Sequence, residues 1–296
     1  MIVVIGEILI DRFPDYERIG GAPFNFAYHI KQMGWPVRFL TRIGDDAAGR
    51  QILEMLKNSG LSTEDVQLDT RHPTGRVEVS LDFQGVPQFD IRADAAYDYL
   101  DLSQVTAAEV SSADLIYYGT LVQRTDRGYG QVQAFLEQKT SVTRGFCDIN
   151  LRPPHIHPEA IQSSLNHSDI LKLNTEELMQ ISAMLDGPQD EPGAADWLLH
   201  KFALSHIAIT MGAAGSKVIT ADQVITSPPA KVDAIVDTVG AGDAYAAVFA
   251  AGCLKSLPLD RTLAMATGFA ADICGLPGAV PADTKLYKSL RREMSP

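Results

Sequence analysis

Residues 237–243 (DTVGAGD) combine glycines and carboxylates in a pattern that could serve phosphate chemistry. They follow the apolar run 232–236 and precede the small-residue run 244–251, which predicts a strand, a glycine-rich turn and a helix in that order. The first amides of a helix have no internal partner and the helix dipole is positive there, so this end attracts an anion. Gly240 and Gly242 lack the Cβ atoms that would keep a phosphate away from the backbone.

Asp243 stands in the first turn of this predicted helix. A carboxylate beside a phosphate-binding turn can accept the proton of an attacking hydroxyl, which is general-base chemistry for phosphoryl transfer. An aspartate that only caps a helix, after glycines that only permit a tight turn, would give the same pattern. The segment therefore indicates a phosphoryl-transfer site and leaves a purely structural helix start open.

A second segment, residues 20–27 (GGAPFNFA), opens the first long predicted helix. Gly20 and Gly21 let the backbone approach a ligand, and Asn25 offers both a donor and an acceptor, as binding of a polyol requires. Pro23 in a first helical turn explains part of the pattern without a ligand. The Walker A pattern and the dinucleotide-binding glycine pattern are both absent, which argues against P-loop enzymes and nicotinamide dehydrogenases.

The two segments resemble the first and second signatures of the ribokinase-like (PfkB) carbohydrate kinases, in the order that this family uses. The likeness extends over essentially the whole chain and is greatest to the fructokinase branch. It implies an α/β fold of three layers, α/β/α, with a mainly parallel central sheet and a small β-lid, in a single domain over residues 1–296. It also implies an enzyme that transfers the γ-phosphoryl group of ATP to a sugar hydroxyl.

The resemblance implies roles for individual residues. The catalytic group would be the base Asp243 and an anion hole formed by Gly240, Ala241 and Gly242. The sugar contacts would be Asp11, Gly20, Gly21, Asn25, Asn150 and Arg152. The nucleotide side would comprise Lys172, Asn174, Thr210, Gly212 and Gly215. Glu177 would organise the shell of a Mg²⁺ ion through water, since Mg²⁺ keeps much of its hydration.

Two of these roles have simple structural alternatives. Asp11 follows the first predicted strand and could cap a turn, although a carboxylate there can also accept hydrogen bonds from two sugar hydroxyls. Asn174 followed by Glu177 has the spacing of a capping box, and that role is compatible with a place near Mg²⁺.

The resemblance favours fructose as the substrate, with fructose 6-phosphate as the product. The open alternatives are 2-keto-3-deoxygluconate, ribose, another hexose or a nucleoside. A non-catalytic sugar-binding regulator on the same fold is a further alternative, although the base and the glycine turn are both present. Some relatives bind a monovalent cation such as K⁺ near the position of Asp237, and a homodimer is a further open expectation.

These residues require a framework that brings distant segments together. Short runs rich in Val, Ile and Leu alternate with longer helical patterns, which is typical of a parallel sheet covered by helices. The predicted strands are 2–10, 37–43, 113–118, 145–149, 170–173 and 207–210. The predicted helices are 22–33, 47–58, 129–138, 175–184, 194–202, 241–254 and 262–274.

Two segments, residues 11–20 and 74–91, do not fit this alternation. The second predicts a hairpin of strands 75–83 and 86–91 around a Gln84-Gly85 turn. Together they predict a small lid over the carboxyl ends of the parallel strands, where open α/β sheets bind their ligands. An ordinary edge hairpin is the alternative.

The charge balance restricts the partners. The chain has 25 Lys and Arg residues against 37 Asp and Glu residues, a net charge of −12, which opposes binding to nucleic acid or to an anionic membrane. A sugar and ATP stay compatible, because local backbone amides and a metal ion can hold phosphate. Three cysteines without a C-x-x-C pair, and no signal-like start, predict a cytoplasmic protein with reduced thiols.

Overall fold

The first strand shows how the sequence builds the main sheet. In the computed structural model, which describes residues 1–81, 87–155, 157–232, 234–281 and 283–294, this strand is fully buried. Ile2 and Val4 belong to one hydrophobic cluster, and Val3 and Ile5 belong to another, because successive side chains of a strand point to opposite faces. A strand that is apolar on both faces is typical of a parallel sheet covered by helices on both sides.

The described residues form thirteen strands in two sheets. In chain order they are β1 (Ile2–Ile5), β2 (Leu9–Arg12), β3 (Glu17–Gly20), β4 (Val37–Gly44), β5 (Val66–Asp69), β6 (Gly75–Leu81), β7 (Pro87–Ile91), β8 (Leu115–Tyr118), β9 (Arg144–Asp148), β10 (Ile170–Asn174), β11 (His206–Thr210), β12 (Ser216–Ile219) and β13 (Val224–Ser227). The main sheet has the order β13-β12-β11-β10-β9-β8-β1-β4-β5. Its neighbours pair in parallel from β11 to β5, and β12 and β13 extend the edge antiparallel.

Helices cover both faces of the main sheet. They are α1 (Ala22–Gln32), α2 (Ala47–Asn58), α3 (Ala107–Ser111), α4 (Asp126–Leu136), α5 (Pro158–Asn166), α6 (Thr175–Met184), α7 (Glu191–Lys201), α8 (Ala241–Leu254), α9 (Leu259–Cys274) and α10 (Leu286–Glu293). Helices α1, α2, α8, α9 and α10 pack on the face of Ile2 and Val4, and α3 to α7 pack on the opposite face. The predicted three-layer α/β/α fold is therefore confirmed. None of the helices in the described ranges combines the length and apolar character needed to cross a membrane.

The small sheet consists of β3, β2, β6 and β7 in that order. Strands β2 and β6 pair in parallel, and the two outer pairs are antiparallel. Its strands β2, β6 and β7 share one hydrophobic cluster with Tyr97, formed by Leu9, Val77, Val79 and Ile91. The predicted hairpin is thus present as β6 and β7, while its Gln84-Gly85 turn lies outside the described residues.

The predicted first strand, residues 2–10, was wrong as one element. The chain leaves the main sheet after Ile5 and enters the small sheet at Leu9. Gly6 lies at the break with a φ of 149°, and a Cβ atom there would lie 2.4 Å from Pro23 Cγ. Only glycine combines this backbone conformation with such close packing. The small sheet therefore begins at Leu9, two residues before the predicted lid segment 11–20.

The predicted strand at residues 232–236 was also wrong. The described residues of this range, 232 and 234–236, belong to no strand. Pro228 and Pro229 precede them and lack the N–H groups that a strand would donate. Ile235 and Val236 are exposed, and the Val236 amide donates to the Cys274 carbonyl at 2.9 Å. A loop anchored to the end of α9 therefore leads into α8.

Candidate active site

Two cavities meet at the N-terminus of α8. The first, of about 600 Å³, lies between the small sheet and the main sheet. The second, of about 500 Å³, lies between β11, β12 and helices α8 and α9. Thr238 and Gly242 line both cavities. Groups bound in the two cavities would therefore meet at the start of α8.

Most of the predicted site residues line one of these cavities. The first cavity is lined by Asp11, Gly21, Asn25, Asn150, Arg152, Gly240, Gly242 and Asp243. The second is lined by Thr210, Gly212, Gly215, Ala241 and Gly242. The predicted site residues that line neither are Gly20, Lys172, Asn174 and Glu177. Gly20 instead makes room for a neighbour, since a Cβ atom there would lie 2.2 Å from the Asp11 carboxylate.

The start of α8 presents free amides. Gly240 is its N-cap, with a left-handed backbone at φ 78°, and a Cβ atom there would lie 2.2 Å from that of Ala279. Of the predicted anion hole, the Ala241 amide is already used, because it donates to the Thr238 carbonyl at 3.4 Å. The amides of Gly242 and Asp243 donate no hydrogen bond to any residue in the described part of the chain. With the positive end of the helix dipole, these two donors form a site for an anion.

Asp243 is buried beside these amides. Its Oδ2 accepts a hydrogen bond of 2.7 Å from Asn25 Nδ2, which holds the carboxylate in one orientation. Burial and, to a lesser extent, the nearby Asp148 carboxylate raise the pKa of Asp243 to about 6, against the lowering effects of Lys172 and the Asn25 hydrogen bond. A carboxylate with this pKa is deprotonated at neutral pH and is more basic than an ordinary aspartate.

Carboxylates and one guanidinium line the opposite side of the first cavity. Burial raises the pKa of Glu7 to about 7 and that of Asp11 to about 6, and the Arg152 guanidinium lowers both. Glu7 was not among the predicted site residues. The sequence did contain a signal for it, because Glu7 is a charged residue within the apolar predicted strand 2–10. A buried glutamate is rare without a partner or a function.

Asn150, in the segment after β9, carries an unpaired polar group. Asn150 has a left-handed backbone at φ 43°, and its Nδ2 is buried without a hydrogen-bond partner among the described residues. Asn25 Oδ1 is likewise buried without a hydrogen-bond partner among the described residues. Because buried polar atoms are nearly always paired, a free donor and a free acceptor in one cavity favour a polar ligand there.

Lys172 lies behind the α8 turn instead of lining the second cavity. Its Nζ forms a buried ion pair of 2.9 Å with Asp148 Oδ1, and Tyr117 Oη donates to Asp148 Oδ2 at 2.9 Å. A Cβ atom on Gly242 would lie 3.1 Å from Lys172 Nζ. The ammonium group therefore supports the turn from within the core.

Asn174 and Glu177 form the capping box of α6. Asn174 Oδ1 accepts from the Glu177 amide at 2.8 Å, and Glu177 Oε2 accepts from the Asn174 amide at 2.9 Å. Glu177 Oε1 accepts from the Leu151 amide at 2.9 Å, which joins α6 to the segment of Asn150. Within the described ranges no three acidic, histidine or cysteine residues form a metal cluster. Contact of Glu177 with Mg²⁺ through water stays a prediction.

The second cavity has a polar rim and an apolar side. Ser216 and Thr267 share a hydrogen bond of 2.7 Å, and Ala270, Ala271 and Cys274 of α9 supply apolar surface. These residues were not predicted as site residues. The family resemblance predicts the adenine near the helix that ends at Cys274 but assigns no individual contacts, and the amphipathic periodicity of α9 alone does not distinguish a cavity wall from core.

Comparison with known proteins identifies the family. The pfkB family carbohydrate kinase pattern matches residues 1–285. The chain belongs to this family. Among the relatives of this PfkB kinase, the fructokinase of Rhizobium leguminosarum bv. trifolii is 30% identical over 285 residues, which cover 89% of this chain and 81% of the relative. The predicted family is thus confirmed, and the protein is a sugar kinase.

Solved structures agree with this fold. An uncharacterized sugar kinase from Pyrococcus horikoshii superposes on this PfkB kinase with a TM-score of 0.82 and 25% identity, over 99% of each chain. The fructokinase with bound ATP from Xylella fastidiosa superposes with a TM-score of 0.86 and 21% identity, over 99% of this chain and 98% of that one. The ribokinase-like fold class is thereby confirmed.

The raised pKa of Asp243 makes its predicted role as the base testable through the pH dependence of the rate. Below a pH of about 6 the carboxylate becomes protonated and can no longer accept a proton, so kcat/KM of the PfkB kinase is expected to fall as the pH is lowered through that value. Initial rates across a pH series measure this. Glu7→Gln is the control, because Glu7 titrates nearby. If the acid limb disappears in that variant, it belongs to Glu7 and this assignment is contradicted.

Proposed function

We propose that this PfkB kinase transfers the γ-phosphoryl group of ATP to a hydroxyl of fructose, giving fructose 6-phosphate. The sugar occupies the first cavity and ATP the second. The observation that carries the proposal is the junction of the two cavities at Gly242, where the free amides and the Asp243 carboxylate lie together. This is where an acceptor hydroxyl and a terminal phosphate have to meet.

The first cavity offers the groups that a polyol requires. Asp11 and Asn25 Oδ1 accept hydrogen bonds from hydroxyls, and Asn150 Nδ2 donates one. An unpaired buried polar atom costs about 1–3 kcal/mol. A sugar that forms hydrogen bonds with these buried groups removes that cost, so it gains more binding free energy than it would from exposed groups.

The residues at the junction divide the chemistry between them. Asp243 accepts the proton while the sugar oxygen attacks, and Asn25 keeps the carboxylate aligned. The amides of Gly242 and Asp243 stabilise charge on the phosphoryl oxygens, and Lys172 supports their turn. A Mg²⁺ ion bound with ATP would supply charge neutralisation of the phosphates, and Glu177, which lines neither cavity, would reach it only through water. Thr210, Gly212 and Gly215 bind the nucleotide.

The small sheet covers the sugar. Leu9 and Asp11 of β2, Val77 of β6 and Ile91 of β7 all line the first cavity. We infer that this sheet acts as a lid, which limits access of water to the phosphoryl group, since water would compete as an acceptor.

The charges of the first cavity favour a neutral sugar over a sugar acid. Glu7, Asp11 and Asp243 are carboxyl groups that line it, and Arg152 is its single basic residue in the described chain. The carboxylate of 2-keto-3-deoxygluconate would meet three acidic groups against one guanidinium. Similarity to fructokinases supports fructose among the neutral sugars.

A panel of acceptors tests the substrate. ADP release is measured with ATP, Mg²⁺ and, in turn, fructose, tagatose, glucose, ribose, 2-keto-3-deoxygluconate and adenosine. Fructose is expected to give the highest kcat/KM, and 2-keto-3-deoxygluconate a low one because of the cavity charges. Preferential turnover of the sugar acid would contradict the charge argument, and preferential turnover of ribose or adenosine would replace fructose.

A further inference from the structure

A single arginine joins the small sheet to the turn before α8. Arg18, on β3, places Nη1 2.7 Å from Asp237 Oδ2. The Asp237 carboxylate also accepts from the Val239 amide at 3.0 Å and from the Gly278 amide at 3.1 Å. Asp237 therefore binds three donors from three separate segments of the chain.

Two aromatic rings, in addition to Asp237, hold the guanidinium of Arg18 in place. Its Cζ lies 4.6 Å from the ring centroid of Tyr16 and 5.9 Å from that of Phe13, and these two rings stack at 4.5 Å. Cation–π contacts on one side and a carboxylate on the other fix the side chain, although about a third of it is exposed.

Asp237 in turn sets the position of the anion-binding turn. Its Oδ1 fixes Val239, the residue before Gly240, and its Oδ2 fixes Gly278, next to Ala279. Gly240 packs so closely on Ala279 that no Cβ atom fits between them. The amides at the start of α8 thus depend on a carboxylate whose charge Arg18 balances.

A monovalent cation, which the family resemblance suggests near Asp237, does not fit these residues. Both Asp237 oxygens already face N–H donors, and those donors would point at a bound cation. The guanidinium at 2.7 Å would repel it as well. Two backbone N–H donors and the Arg18 guanidinium therefore satisfy the Asp237 carboxylate without a cation.

We propose that Arg18 provides the positive charge at Asp237 that a monovalent cation would otherwise provide, so that this PfkB kinase works without K⁺. Arg18, which lies on β3 of the small sheet, is then a positioning residue for the anion-binding turn. On that sheet it lies directly opposite Asp11, which lines the first cavity. The paired strands β2 and β3 therefore link a residue of the first cavity to the contact of Arg18 with Asp237.

The wild-type enzyme gives the first test. Its kcat and KM values are measured in potassium chloride and in tetramethylammonium chloride at equal ionic strength, and they are expected to agree within about twofold. The shift in unfolding temperature caused by ATP is measured in both salts and is expected to be equal. Loss of most activity, or of the ATP-induced shift, in tetramethylammonium chloride would overturn the proposal. The ATP shift does not depend on the identity of the sugar, so it separates a failure here from a failure of the proposed substrate.

Variants of Arg18 give the second test. Arg18→Ala is expected to lower kcat about tenfold, the effect of losing one charge-assisted contact. Added guanidinium is expected to restore part of it, because it can re-form the ion pair with the Asp237 carboxylate in the space that Arg18 leaves. Arg18→Lys, which keeps the charge, should retain most of the activity.

The matched control for these variants is Arg12→Ala. Arg12 lies on β2 of the same sheet, is about half exposed, and pairs only weakly with Glu17 and Glu78. It should leave kcat unchanged, and added guanidinium should not raise it. If Arg18→Ala behaves like Arg12→Ala, or loses activity that guanidinium does not restore, Arg18 does not replace a cation.

Discussion

Replacing Asp243 with asparagine is expected to lower kcat by a factor of about 10²–10⁴, the range for loss of a general base. The amide oxygen of the substituted side chain can still accept the hydrogen bond from Asn25 Nδ2, so the local geometry should persist. The unfolding temperature should therefore stay close to that of the wild type. Steady-state kinetics with saturating ATP and sugar, together with thermal unfolding, measure both quantities.

The matched control is Asp260→Asn. Asp260 also stands in the first turn of a helix, α9, but it is exposed and lines neither cavity. Its replacement should leave kcat unchanged. Near-wild-type turnover by Asp243→Asn would show that proton removal is done by another group, and the proposed chemistry would then be wrong.

Replacing Lys172 with methionine is expected to lower the free energy of unfolding by about 3–5 kcal/mol, the range for removing one partner of a buried ion pair. Asp148 is fully buried and would keep only the hydrogen bond from Tyr117. The turn at Gly242 would also lose the ammonium group behind it, so kcat should fall as well. Urea unfolding of the wild type and the variant measures the difference in stability.

Two further variants show whether the charge is responsible. Lys172→Met combined with Asp148→Asn removes both charges and should recover part of the lost stability. Lys285→Met breaks an exposed contact with Asp283 and should have little effect. Equal stability of Lys172→Met and the wild type would mean that the buried pair does not support the fold.

The alternation of strands and helices was predictable because burial imposes distinct periods on the two elements. β10 and α6 have bounds close to those predicted, since an apolar run precedes an Asn-capped helix there. Asn150, Asn174 and Thr210 could be placed in one region for the same reason, because they end or follow neighbouring parallel strands. The sequence pattern could not predict the direct hydrogen bond between Asn25 and Asp243, because 218 positions separate them.

The errors have local physical causes. Residues 2–10 have the composition of one strand, and only the packing of Gly6 against Pro23 divides them. The loop before α8 has the composition of a strand but follows two prolines. Arg18 carried no signal of its own, because an arginine in a polar turn-rich segment is ordinarily solvated, and its partner Asp237 lies 219 positions away.

Identification of the product tests the central claim most directly. The protein is incubated with ATP, Mg²⁺ and fructose, and the products are analysed by mass spectrometry and phosphorus NMR. The account predicts equal amounts of ADP and fructose 6-phosphate from the wild type, and almost none of either from Asp243→Asn. Release of ADP without a phosphorylated sugar, or unchanged product formation by Asp243→Asn, would contradict it.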